Sequence, residues 1–170
     1  MRFFASCLAA AAYSLVAQAS PADFVKGPVI ADFGATAPVP DAAPLAPDTE
    51  LKVAFDISAA AEPGKVNRQI ESAARFINMH SAAGLAPEQV QVAIVVHGPA
   101  ASDLLAGDHN ASAPLIAALL EAGATITLCG QTAAYRDITA DQLVEGVTLS
   151  LSAMTAHALL QQDGYTLNPF

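Results

Sequence analysis

Four consecutive residues, Cys129-Gly130-Gln131-Thr132, have the types and spacing for thiol chemistry. They follow a predicted strand and open a helical turn, and backbone N–H groups at a helix start favour a thiolate over a thiol. Gly130 permits close approach of another backbone or of a substrate. Gln131 and Thr132 complete the loop after the cysteine and are candidate binding positions. His97, in His97-Gly98-Pro99, ends another predicted strand and can serve Cys129 as base or cationic partner. Plainer roles stand beside these, a cysteine packed as a small hydrophobe and a histidine satisfied by loop carbonyls; the strand-end place beside Gly130 favours the reactive thiol, and for His97 the two are even. His109 reads as a solvated loop residue, His80 as a helix C-terminal cation, and His157 as a surface residue.

Other chemistries lack their signatures. Asp108, His109, His97 and Cys129 combine into no metal-ligand spacing, so neither a metal nor a cofactor is expected. There is no glycine-rich phosphate loop with its lysine, and no nucleophile elbow around a serine. Asn110-Ala111-Ser112 matches a glycosylation triplet of a kind common by chance.

The thiol count depends on the amino terminus. Met1-Arg2 is a short positive start, Phe3 to Val16 carries no charge, and Ala17-Gln18-Ala19 offers small residues for a peptidase. This pattern predicts a signal peptide over 1–19, cleaved after Ala19, and a periplasmic protein with no membrane association after cleavage. Cleavage removes Cys7 and Arg2, so Cys129 becomes the single thiol and the net charge moves from −9 to −10. A lone thiol in an oxidising compartment has no intrachain disulfide partner.

Composition narrows the classes further. With 16 acidic against 7 basic residues the chain is a poor ligand for nucleic acid or an anionic membrane. Trp is absent and aromatics are 6%, which argues against a base- or sugar-stacking platform. A length of 170 residues suits one domain with a real core.

The elements that must position Cys129 follow from periodicity. Residues 20–50 hold six of the eleven prolines and predict an extended arm lying along the domain or a neighbouring subunit. From Leu51 to the end, 51–170, the pattern is that of one α/β domain. Leu51–Ile57 alternates as a strand. Val66, Ile70, Ala73 and Ile77 recur at helical spacing, with Glu71 and Arg75 as an outward pair, until Gly84. Val90–Val96 is a second strand, followed by a short helix over 100–106. Pro114 opens a helix that Gly123 closes, and Ala124–Leu128 is the third strand. Thr139 and Gln142 predict a capped short helix, Val147–Leu151 a fourth strand, and Ser152–Asp163 a last helix lacking a clean apolar stripe. The alternation predicts a single-domain three-layer fold, a mostly parallel sheet of four to five strands with helices on both faces. Strand ends on one edge would then gather Asp56, His97, Cys129 and Ser152.

The segments Val95–Ala100, Leu119–Gly123 and Thr127–Thr132, followed by Leu151–Thr155 and Leu159–Tyr165, resemble in order and spacing the DsrE/DsrF-like sulfur-relay family, in an exported branch. The resemblance spans about 51–168. It implies a parallel α/β sheet, a homo-oligomer (trimer or hexamer), and a cysteine that carries sulfane sulfur as a persulfide, which falls on Cys129. The implied partners are a small sulfane-sulfur donor and a thiol acceptor protein. Two other readings stand beside a sulfur carrier or sulfurtransferase: a non-catalytic binding or assembly module with a packed cysteine, and a thiol redox sensor.

Overall fold

Leu51–Ile57 (β1), which alternates apolar and mixed residues, and the apolar run Val90–Val96 (β2) form two central strands whose alternate side chains face one core. The computed structural model describes residues 20–169; the expected signal peptide lies outside the described residues. Thr125–Cys129 (β3), Thr148–Ser150 (β4) and Thr166–Asn168 (β5) complete a five-stranded sheet in the order β4-β3-β2-β1-β5, parallel throughout. This is the expected architecture at the upper strand count.

One face carries the main core. Val53, Phe55 and Ile57 of β1, Val92, Ile94 and Val96 of β2, and Ile126 and Leu128 of β3 pack there against Arg68–Ala82 (α1) and Ala113–Glu121 (α2). Asn67 starts α1 because its Oδ1 accepts the N–H of Gln69 and Ile70 at 2.9 and 3.2 Å. The helix then buries Ile70, Ala73, Ala74, Ile77 and Asn78, the stripe that a period of 3.6 demands. Pro114 lies in the first turn of α2, which buries Leu115, Ile116 and Leu119. A 3-10 segment, Gly98–Leu104, stands where a short helix over 100–106 was expected.

The opposite face is covered by Ala153–Gln162 (α4), which lies against β2, β3, β4 and β5. Ala54, Ala93, Val95 and Cys129 are buried here, outside the main core, together with Ala156 of the helix. Small side chains on both partners let α4 approach the sheet. They also explain the missing apolar stripe, because Ala156 is the one buried residue of this helix.

The proline-rich arm folds back along α1. Asn78, fully buried, accepts the N–H of Val29 and Ile30 through Oδ1 and donates to the carbonyls of Ile30, Phe33 and Gly34. Glu71 and Arg75 make no outward pair with each other. Glu71 accepts the Gly34 N–H at 3.2 Å and Arg75 donates to Ala35 O at 3.1 Å, since the arm offers backbone groups that need partners. Thr139 and Gln142 flank a 3-10 turn, Ala140–Gln142, rather than a longer helix, with Gln142 Oε1 accepting the Thr139 N–H.

Candidate functional site

Parallel strands point their carboxyl ends to one edge, and Asp56 (β1), Cys129 (β3), His97 just past β2 and Ser152 just past β4 all stand on it. Cys129 pairs with Ser150 in the β3–β4 ladder. The β2–β3 register ends at the Val96–Leu128 pair, which His97 and Cys129 each follow by one residue, and the His97 ring is directed to Asp56.

Cys129 is the last residue of β3 and the N-cap position of Gly130–Tyr135 (α3), with 6% of its surface exposed. Two helix starts converge on its sulfur, one from α3 and one from α4. Burial pushes the thiol up. The N–H of Thr132, the N–H of Ala153, the Thr132 hydroxyl and the N–H of Gln131 together outweigh burial and hold Cys129 below its ordinary value. Cys129 closes no cap hydrogen bond on α3, so these groups act as facing donors whose pull grows when the sulfur is charged.

Gly130 makes this convergence possible. A Cβ there would collide with the carbonyl oxygen of Ser150 and stand 3.2 Å from that of Leu151. Without a side chain, the β4–α4 connection passes directly over the start of α3 and carries the Ala153 N–H to Sγ. Gln131 Nε2 donates to Leu151 O at 3.3 Å, tying the same connection. Thr132 Oγ1 accepts the Gly98 N–H at 3.1 Å, linking the cysteine loop to the turn after His97. Gly98 itself takes a positive φ of 57° in that turn, a conformation natural to glycine.

His97 Nε2 lies 3.3 Å from Asp56 Oδ1 and 3.4 Å from Oδ2. His157 Nε2 reaches the same Oδ1 at 2.9 Å. His157 is therefore no surface residue: its side chain is 16% exposed, enclosed between α4 and the sheet. As a carboxylate, Asp56 can only accept, so both Nε2 atoms carry the proton towards it. His80 Nδ1 sits 2.8 Å from Phe76 O, and His109 is exposed. Asn110 spends its amide on the carbonyls of Asp103 and Leu105, both at 2.7 Å. Among the described residues no group of three His, Cys, Asp or Glu is arranged to hold a metal ion. A hollow of about 490 Å³ at the start of α1 is lined by Glu62, Lys65, Arg68 and their neighbours, and Cys129 does not border it.

Comparison with known proteins returns the same α/β fold. The model of the DsrE/DsrF-like family matches residues 52–169. The chain belongs to this family. Two solved structures share the fold of this DsrE/DsrF-like chain at low identity. One is described as a protein of unknown function, MTH1491 from Methanobacterium thermoautotrophicum, 17% identical, with a TM-score of 0.58 over 71% of this chain and 100% of that one. The other, the ychN protein from E. coli, is 15% identical, with a TM-score of 0.55 over 71% of this chain and 99% of that one. No curated protein matches.

The residues nearest the sulfur were only partly legible beforehand. Gly130, Gln131 and Thr132 surround it as adjacency requires. The Ala153 N–H was not anticipated, although Ser152, whose Oγ accepts the Thr155 N–H at 3.0 Å, marks a capped helix start immediately after a strand.

Proposed function

We propose that this DsrE/DsrF-like chain is a periplasmic sulfur carrier whose Cys129 takes up sulfane sulfur as a persulfide and passes it to an acceptor thiol. The convergence of N–H donors from α3 and α4 on Sγ carries the reading, because it favours the anionic sulfur that the chemistry requires. The Cys129 thiolate attacks the outer sulfur of a donor R–S–SH. The new S–S bond forms as the donor S–S bond breaks, and the electron pair leaves on RS⁻. An acceptor thiolate then attacks the outer sulfur of the Cys129 persulfide and restores the Cys129 thiolate. Gly130, Gln131 and Thr132 shape the rim at which the donor binds. His97, one residue past the strand pairing, is the proposed proton acceptor or charge partner for the approaching group.

Export with cleavage after Ala19 rests on the sequence of 1–19, and amino-terminal sequencing of the periplasmic fraction tests it. Assembly into a trimer or hexamer is part of the proposal. Tyr135, Leu151 and Met154, exposed at 88%, 73% and 80% on the elements around Cys129, supply apolar surface for it. Sedimentation of the mature chain, with Leu151→Glu as the disrupting variant, reads the assembly.

The burial of Cys129 favours a second reading, a family fold used for binding or assembly with a packed thiol. One experiment separates the two. Intact mass spectrometry after incubation with a sulfane-sulfur donor should show a gain of one sulfur atom, reversed by reductant and absent in Cys129→Ser. No gain, together with a Cys129 inert to alkylation, establishes the packed reading. A stable sulfenic acid or intermolecular disulfide in place of the persulfide points to redox sensing.

A further inference from the structure

Ala153 and His157 are four residues apart on α4 and share one side of the helix. The first presents its N–H to Cys129 on β3, and the second places Nε2 2.9 Å from Asp56 on β1. The start of the helix is tied through Leu151 O and the Ser152 cap, and His157, one turn further on, is the side chain that bonds the helix body to the sheet. Ala156 is its single buried residue, while Met154 and Leu159 are exposed. The far end is held separately, by Lys52 Nζ donating to Asp163 O at 3.4 Å and by the pairing of β5 with β1. His157 Nδ1 is buried without a partner, so the ring is enclosed at some cost and its bond to Asp56 is the polar contact that offsets it.

We propose that Asp56 is a positioning residue for Cys129: by holding His157 it fixes α4 over the sheet at the height where the Ala153 N–H faces Sγ. This inference rests on the sulfur-carrier reading only for its purpose, since the geometry it describes is testable on the thiol itself. The groups facing Asp56 are His97 from the β2 end and His157 from α4, with Cys129 two strands away at the end of β3. Lys52 and Asp163 lie at the other end of α4 and serve as the distant charges. Asp56 touches no reacting atom; it acts through His157 and the helix.

The sign of one shift separates positioning from charge. Removing a nearby carboxylate by Coulomb's law alone eases ionisation of a thiol and lowers its titration midpoint. Loss of the clamp instead withdraws the Ala153 N–H and raises the midpoint. The test is a pH titration of the Cys129 ¹³Cβ resonance in the full chain carrying Cys7→Ser, so that one thiol is observed, with far-ultraviolet circular dichroism as the fold control. Asp56→Ala and His157→Ala are expected to move the midpoint upward. His157→Gln, which keeps an N–H donor at the reach of Nε2, is expected to restore it. Lys52→Met removes a distant charge at the far end of α4, leaves the His157 bond intact and should titrate with the parent. A midpoint that falls in Asp56→Ala, or does not move in His157→Ala, overturns the proposal. If Asp56→Ala does not fold, Asp56→Asn decides: it retains the acceptor and should show no upward shift, and a rise would overturn the clamp. Failure of the carrier reading is seen elsewhere, as absence of sulfur uptake by a chain whose thiol titrates as described.

Discussion

Substituting Gly130 by alanine sets two opposed effects against each other, and their magnitudes predict the sign. Gly130 is the first residue of α3 and does not occupy the left-handed region, so alanine suits its backbone. Helix preference alone would stabilise the variant by at most about 1 kcal/mol. Against this, the new Cβ meets the carbonyl oxygens of Ser150 and Leu151, which are backbone atoms of the β4–α4 connection and not the ends of flexible side chains. Overpacking of this kind costs about 1–3 kcal/mol. The net expectation is a loss of about 1–2 kcal/mol, or a Tm lower by roughly 2–8 °C for a chain of this size. Relief of the clash moves Ser150 and Leu151 away from α3 and takes the Ala153 N–H with them, so the Cys129 thiol should also titrate at higher pH. Thermal unfolding followed by circular dichroism, and the pH dependence of Cys129 alkylation, measure the two effects on one sample. A variant with equal or higher Tm and an unchanged alkylation profile would refute the claim that Gly130 is required by the crossing connection.

Four further outcomes are expected. Because the folded chain holds the Cys129 thiol below its ordinary value, alkylation should rise through an inflection at lower pH than in the unfolded chain. By linkage, the stability this thiol contributes is complete above the unfolded value and is lost as pH falls through the folded one; Cys129→Ser should lack that pH-dependent component in denaturant melts. Thr132→Val removes a hydroxyl facing Sγ and leaves the Gly98 N–H without its acceptor, so it should raise the thiol titration and cost about 1–3 kcal/mol; an unchanged alkylation profile would contradict the assigned role of the hydroxyl. Asn78→Ala orphans five backbone contacts of the arm. Destabilisation of roughly 2–4 kcal/mol is expected, with proteolytic cleavage in 20–50 preceding cleavage of the domain, and equal resistance to protease in variant and parent would count against arm docking through Asn78.

The elements of this protein were largely readable because they are set by interactions a few residues apart. Alternation in Leu51–Ile57, the apolar run Val90–Val96, the stripe Ile70–Ala73–Ala74–Ile77, and glycines 84, 123 and 164 after their helices, each at positive φ, are local signals. So is the placement of Cys129 at a strand end ahead of a helical turn, with Gly130, Gln131 and Thr132 beside it. Local signals fail where an element is short or polar. Thr166–Asn168 has three residues, too few to show a period, and is a strand because β1 offers it an unpaired edge. Glu71 and Arg75 have the spacing of a surface pair, yet the arm claims both.

What only the tertiary structure decided is which distant groups meet. Asp56 and His157 are 101 residues apart in sequence and 2.9 Å apart in space. The Ala153 N–H arrives at Cys129 because α4 leaves β4 to cross the opposite face of the sheet towards β5. Periodicity states which face of a strand is buried, and it contains nothing about which strand lies next to which. The sequence by itself therefore determined the family, the α/β class and the placement of Cys129 at a strand end. The strand order β4-β3-β2-β1-β5 determined the company that sulfur keeps, since donors, carboxylate and imidazoles lie on separate elements whose ends meet only after the sheet has formed.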